Sequence, residues 1–193
     1  MRIGLFGGTF DPVHLGHLRA AENAREALSL DLVVLLPSAV PPHRAAPLTP
    51  AGDRLAMARL ATAGHPCFDV WDTELRRPGP SYTVETVAEL VTAHPQDQLF
   101  LVVGADTWPE MTSWREPERL FSLVEVAVAG RPGTQQASLE PPFASSRPVH
   151  RVVGPTLPIS ATAIRERVHS GHSVRYLVPD AVAAYISERR LYA

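Results

Sequence analysis

The chain is expected to adopt an α/β fold, a doubly wound parallel sheet with helices on both faces, and two observations predict it. Short apolar, β-branched-rich runs recur along its 193 residues, and longer segments with helical spacing fall between them. The runs are Arg2 to Phe6, Leu32 to Leu36, Phe68 to Trp71, Leu99 to Val103 and Val124 to Ala129. Each has the length of a strand, and their near-continuous apolar character suits strands covered on both faces. Helical spacing marks Leu18 to Leu28, Arg54 to Ala63 and Val84 to Val91; in the last of these, Val84, Val87, Ala88 and Val91 share one face. Alternation of strand and helix predicts right-handed crossovers in one sheet. Ile164 to Val168 and Ala181 to Ile186 carry helical spacing again, which predicts a small helical C-terminal extension over 158–193. The length favours one domain, 1–193, with that extension packed on it. Prolines concentrate at Pro37 to Pro50, Pro78 to Pro80 and Pro141 to Pro158, and these stretches are predicted to be surface loops, because proline lacks the donor a helix or sheet interior needs.

Composition narrows the partners. With 45% hydrophobic and 20% charged residues the chain has the balance of a globular protein. Its formal net charge of −2 lacks the basic excess of a nucleic-acid or membrane-surface binder, which points to a small-molecule partner. Cys67 is the single cysteine, so an internal disulfide and a cysteine-built zinc site are both excluded; it reads as a buried structural thiol in a reducing compartment. The opening residues Arg2 to Phe6 do not read as a signal peptide, and no apolar stretch is long enough to cross a bilayer, so a cytoplasmic location is expected. A homo-oligomeric state is left open.

In an open parallel sheet, ligands bind beyond the carboxyl ends of the strands, and here the loops that leave those ends hold the unusual residues. The first predicted strand runs into Gly7-Gly8-Thr9-Phe10-Asp11-Pro12-Val13-His14-Leu15-Gly16-His17, the second into Pro41-Pro42-His43-Arg44, the fourth into Gly104-Ala105-Asp106 and the fifth into Gly130-Arg131-Pro132. All four are expected to converge on one crevice. The first loop has neither a Gly-Lys-Ser/Thr ending nor G-x-G-x-x-G spacing, which disfavours an ordinary P-loop NTPase or dehydrogenase. Gly7 and Gly8 directly after a strand let backbone approach a ligand closely, and His14 and His17 at the opening of a helix point to about the same side. Helix amides, the helix dipole and imidazole N–H groups together suit phosphate. Two histidines at this spacing are, by themselves, more often structural or partial metal ligands. A second phosphate candidate is Ile159-Ser160-Ala161-Thr162-Ala163-Ile164-Arg165, where Ser160 is placed to cap a helix and Arg165 lies one turn further on; a plain cap is the simpler reading of it alone.

These motifs resemble the marks of the nucleotidylyltransferase superfamily, a Gly-Gly-x-Phe-Asp segment with His-x-x-His and a Ser-x-Thr-x-x-Arg type motif near the C-terminus. Within it the chain is most similar to the bacterial nicotinate-nucleotide adenylyltransferases, on Gly7 to His17, Pro41 to Arg44, Ser81-Tyr82-Thr83, Gly104 to Asp106 followed by Trp114, Ile159 to Arg165, and the terminal Tyr185-Ile186 and Leu191-Tyr192. The family often has lysine where Arg44 stands and a second serine where Ala161 stands. The resemblance implies a Rossmann-like nucleotidylyltransferase fold and an enzyme that joins nicotinate mononucleotide to the AMP part of ATP, with Mg²⁺ entering on ATP and no metal ligands from the protein. It implies catalytic roles for His14, His17 and Arg165. ATP would be bound by Gly7, Gly8, Thr9, Phe10, His14, His17, Gly104, Asp106, Arg131, Ile159, Ser160, Thr162 and Arg165. His43, Arg44, Thr83, Trp114 and Arg115 would bind the mononucleotide, Trp114 as a stacking platform for the pyridine ring and Thr83 at its carboxylate. A pantetheine-phosphate adenylyltransferase is the nearest competing enzyme, and a noncatalytic nucleotide-binding module is the competing class.

Overall fold

The computed structural model describes residues 1–40, 49–130 and 139–193. Six parallel strands form one sheet in the order β3-β2-β1-β4-β5-β6. They are β1 (Arg2–Gly8), β2 (Leu32–Pro37), β3 (Phe68–Val70), β4 (Gln98–Gly104), β5 (Glu125–Ala129) and β6 (Val149–Val152). The α-helices are α1 (Leu15–Leu28), α2 (Ala51–Thr62), α3 (Thr83–Ala93), α4 (Pro117–Leu123), α5 (Ala161–His169) and α6 (Asp180–Glu188), with short 3₁₀ turns at Thr73–Arg76 and Trp108–Ser113. This is the doubly wound Rossmann-like α/β class that the strand–helix alternation predicts.

The period of two along each strand divides the core between two faces. Phe6, Val33, Leu35, Phe100, Val102, Ala127 and Ala129 point to one face, where they are buried with Ala21 and Ala24 of α1, Met57 and Ala58 of α2, Ile164 of α5, and Val182 and Ile186 of α6. The alternate residues Ile3, Leu5, Val34, Leu36, Leu99, Leu101, Val103, Val126 and Val128 point to the other, against Val84, Val87 and Leu90 of α3 and Leu120 and Phe121 of α4. The C-terminal helices thus share a buried cluster with the strands.

Three expectations need correction. The stretch Pro141 to Pro158 holds an edge strand, β6, and is not loop throughout. Among the described residues only one side of β6 pairs in the sheet, so its flanking prolines cost no ladder bonds, and the Pro148 carbonyl accepts from Val126 N–H at 3.2 Å. Gly7 and Gly8 belong to β1 itself, paired with Leu36 and Pro37 of β2, so the first loop begins at Thr9. Cys67 is half-exposed just before β3, where the third strand is short and at the edge.

The order of the strands decides where a ligand can sit. The chain winds outward from β1 through β2 to β3, returns to β4 beside β1, and winds the other way to β6. Loops leaving the carboxyl ends of β1 and β4 therefore diverge, and the crevice between them lies at this switch point.

Candidate active site

The segment after β1 shapes the crevice floor. Gly7 is exposed, with open space where a side chain would point, so the strand end presents bare backbone there. Thr9 follows, and the Phe10 ring turns into the core, 2% exposed, edge-on to Phe6 and to His17. Any contact Phe10 makes with a nucleotide must come from its backbone.

His14 is the N-cap of α1, and it forms a reciprocal capping box with His17. The His17 N–H donates to His14 Nδ1 at 3.3 Å, and the His14 N–H donates to His17 Nδ1 at 3.2 Å. Because each ring accepts at Nδ1, the proton of each neutral imidazole resides on Nε2, the nitrogen not engaged in the box. The rings are stacked, with centroids 3.6 Å apart and planes 19° from parallel. The helix cap thereby sets both the tautomer and the orientation of two adjacent N–H donors at a positive helix end. A side chain at Gly16 would meet His14 Nδ1 at 3.0 Å and the Leu157 carbonyl at 3.3 Å, so the glycine keeps the ring seated and brings the approach to α5 close.

That approach carries the second phosphate candidate. Ser160 is the N-cap of α5, its hydroxyl accepting from Ala163 N–H at 3.2 Å, as the plain capping reading requires. Arg165 donates to the Asp11 carbonyl at 2.8 Å and to the Thr162 hydroxyl at 3.1 Å. The guanidinium therefore joins the α5 start to the segment before His14. Ile159 is partly buried against the first core cluster, with its N–H donating to the Leu157 carbonyl. At the end of β4, a side chain on Gly104 would run into the Asp106 carboxylate, so this glycine lets Asp106 fold back over the strand end.

On the other side of β1 the Ser81-Tyr82-Thr83 segment opens α3. Thr83 is the first helical residue, and the helix has no side-chain cap. Its amides are thus a candidate site for a carboxylate. Arg115 lies over the Tyr82 ring at 4.4 Å and 3.6 Å from Glu85, which brings the Trp114-Arg115 turn against the start of α3. The indole of Trp114 is partly buried on the second cluster. His43, Arg44 and Arg131 lie outside the described residues.

Three residues that the motifs did not single out, Arg54, Ser38 and Glu74, support this arrangement together with Asp11 of the first motif. Arg54, 1% exposed, donates to the carbonyls of Thr9 at 2.7 Å, Ala39 at 3.2 Å and Thr49 at 3.2 Å, and so ties together the segments that follow β1, follow β2 and precede α2. Burial lowers its pKa from the ordinary arginine value, with the charge of Asp11 opposing. Asp11 is itself buried and accepts from the Tyr192 hydroxyl at 2.6 Å. Ser38 donates its N–H to the Gly8 carbonyl, and its buried hydroxyl has no hydrogen-bond partner among the described residues. Such a group at the mouth of a ligand crevice is a candidate to meet a ligand. Glu74 underpins Ser81: its carboxylate accepts from Thr86 at 2.9 Å and is bonded to the Ser81 hydroxyl, which in turn accepts from Ala39 N–H at 2.9 Å. Only a spatial signal marks Arg54, Ser38 and Glu74, since an arginine in a helix or an acid in a turn ordinarily reads as solvent-facing.

Burial raises the Glu74 pKa above the usual carboxylate value, against the pull of Thr86, Ser81 and Arg77. The native state then holds this proton more tightly than the unfolded chain. Its contribution to stability is complete below the ordinary glutamate value of about 4.3 and is lost as pH rises through the raised native value. Denaturation of the parent and Glu74→Gln in parallel should show the stability difference, parent minus variant, falling across that window and flat above it. A difference that rises with pH would contradict the buried-carboxylate account.

Among the described residues, no group of three or more His, Cys, Asp or Glu is placed to hold a metal ion, and no helix is long and apolar enough to cross a membrane.

Comparison with known proteins decides the family. The model of the cytidylyltransferase-like family matches residues 5–167. A Thermus thermophilus protein named "Probable nicotinate-nucleotide adenylyltransferase" is 47% identical over 194 aligned residues, covering 100% of both chains. The chain belongs to the nicotinate-nucleotide adenylyltransferase family. A Geobacillus kaustophilus protein of the same name is 43% identical, with 99% of this chain and 86% of that one covered. Plasmodium falciparum nicotinic acid mononucleotide adenylyltransferase, solved in complex with NaAD, superposes with a TM-score of 0.82 over 99% of this chain and 97% of its own. At 16% identity that likeness speaks for the nucleotidyltransferase fold alone.

Proposed function

We propose that the chain transfers the AMP part of ATP to nicotinate mononucleotide, forming nicotinate adenine dinucleotide and releasing pyrophosphate in the biosynthesis of NAD. What carries this reading is the 47% identity over the whole chain, within which every candidate site segment falls. The mononucleotide phosphate oxygen attacks the α-phosphorus of ATP in line, forming the new P–O bond as the bond to the β-phosphate oxygen breaks. No enzyme nucleophile is needed, since a phosphate monoester is already an anion. The protein aligns two charged nucleotides and offsets charge that develops on the α-phosphoryl oxygens and the leaving group.

The Nε2–H groups of His14 and His17 suit the α- and β-phosphoryl oxygens, beside the bare backbone of Gly7 and the main chain of Gly8 and Thr9. Ser160, Thr162 and Arg165 at the start of α5 suit the outer phosphates. Asp106 accepts from the ATP ribose over Gly104. A Mg²⁺ ion entering on ATP would neutralise part of the triphosphate charge. On the acceptor side, Trp114 stacks on the pyridine ring. Thr83 and the uncapped first turn of α3 receive its carboxylate.

Selectivity for nicotinate over nicotinamide follows from the donors at that helix end. A carboxylate accepts at both oxygens, whereas an amide turns an NH₂ toward the same donors. Mismatched buried polar groups cost about 1–3 kcal/mol each, enough for roughly ten- to a hundredfold discrimination. Thr83→Val keeps the shape and removes the hydroxyl, so kcat/KM should fall much more for nicotinate mononucleotide than for the nicotinamide analogue. Equal losses with both substrates would remove Thr83 as a selectivity element.

A further inference from the structure

The histidine pair stands on a segment, Thr9 to Val13, that is held from behind by Arg165, which the mechanism above places on the outer phosphates, and by Tyr192 and Arg54, which touch neither nucleotide in it. The Tyr192 hydroxyl donates to the Asp11 carboxylate at 2.6 Å, while Arg165 donates to the Asp11 carbonyl at 2.8 Å and Arg54 to the Thr9 carbonyl at 2.7 Å. The Tyr192 ring is packed against the first core cluster, and its backbone is left-handed, with φ 64°, a conformation that a non-glycine residue keeps only when its surroundings hold it there. Burial and the neighbouring Asp11 push the phenol well above its ordinary value, so the hydroxyl stays a donor. Nearby, Tyr185 donates to Asp53 at 2.7 Å, and Arg189 lies 3.3 Å from the same carboxylate, which docks α6 on the start of α2. The two tyrosines differ in one respect: Tyr185 reaches only the start of α2 through Asp53, whereas Tyr192, also bonded to the Thr49 hydroxyl just before that helix, reaches the turn that precedes His14.

We propose that Tyr192 is a positioning residue for adenylyl transfer, its hydroxyl fixing Asp11 and thereby the turn that presents His14 and His17 to the ATP phosphates. This rests on the role given above to the histidine pair. A hydrogen bond to a charged, buried acceptor is among the stronger ones, and only Pro12 and Val13 lie between Asp11 and His14, so its loss is transmitted to the rings through a short, otherwise clamped segment.

The test is Tyr192→Phe, which keeps the ring and deletes the donor, made in the parent and in the His17→Ala protein. In the parent, kcat is expected to fall about tenfold, with KM for the mononucleotide changed by less than about twofold. In the His17→Ala protein the same substitution is expected to cost less than about twofold, because residues that act through one another are not additive. Tyr185→Phe is the control for docking alone and should lower Tm while leaving kcat unchanged. A Tyr192→Phe protein that behaves like this control, or that loses as much in the His17→Ala background as in the parent, overturns the proposal. If His17→Ala itself turns over normally, the role of the histidine pair falls first and this inference with it. Should Tyr192→Phe fail to fold, Asp11→Asn, which retains an acceptor for the hydroxyl, is predicted to keep more turnover than Asp11→Ala, and equal turnover in the two overturns the proposal.

Discussion

Replacing His17 by alanine is expected to lower kcat by on the order of 10²-fold or more while the protein stays folded. Two effects act at this position and differ in size. His17 supplies one half of the capping box, through the 3.2 Å bond that its Nδ1 accepts from the His14 N–H, and loss of a helix cap costs about 0.5–2 kcal/mol. That loss lowers Tm by a few degrees and does not populate the unfolded state at assay temperature. The catalytic loss comes from the Nε2–H donor, which is worth most when charge develops on the transferring phosphoryl group. Turnover at a fixed temperature and a thermal melt on the same preparation separate the two. A folded His17→Ala protein with near-normal kcat would return the pair to a purely structural cap. His14→Ala should be impaired as well, with a larger cost in stability, since His14 is both the cap and buried.

The largest loss of stability is expected at Arg54. Arg54→Leu leaves the carbonyls of Thr9, Ala39 and Thr49 without the donor they share and removes the positive neighbour of buried Asp11. Breaking a buried charge of this kind costs about 3–5 kcal/mol. For a chain of this size that is about 10 °C in Tm. Arg54→Lys retains the charge but not the planar fork, and one ammonium does not reach three carbonyls on three segments, so its melt should lie between those of the parent and the leucine variant. A drop of only a degree or two in Arg54→Leu would show that these segments hold themselves in place.

The contrast between His17 and Arg54 also explains which parts of the molecule are legible in the sequence. Strand cores such as Leu99 to Val103 are legible because both faces are buried and every residue must be apolar. The His14/His17 pair is legible because a histidine cap after a glycine-rich strand end is an unusual local pattern. β6 is not, since a four-residue edge strand flanked by prolines carries too little period and too many breakers. The strand end at Gly7-Gly8 is hidden for a related reason: glycines read as loop, yet pairing with Leu36 and Pro37 extends the strand through them. Arg54 and Glu74 are invisible to pattern, because what makes them matter is a partner 15 or 12 residues away that only folding brings near. Tyr192 is visible as part of the terminal motif, but its partner Asp11, 181 residues away, is not.

In the proposed function, the clamped segment Thr9 to Val13 presents the donors for phosphate and the uncapped start of α3 receives the ring carboxylate. The account therefore stands or falls on the acceptor. The protein is incubated with ATP and Mg²⁺ and, in parallel, with nicotinate mononucleotide, nicotinamide mononucleotide or phosphopantetheine, and both pyrophosphate and the adenylylated product are measured. Pyrophosphate in step with nicotinate adenine dinucleotide, at a kcat/KM roughly ten- to a hundredfold above that for the nicotinamide form and with no phosphopantetheine product, is the predicted result. Equal use of the two pyridine nucleotides, preference for phosphopantetheine, or no pyrophosphate with any acceptor would contradict it.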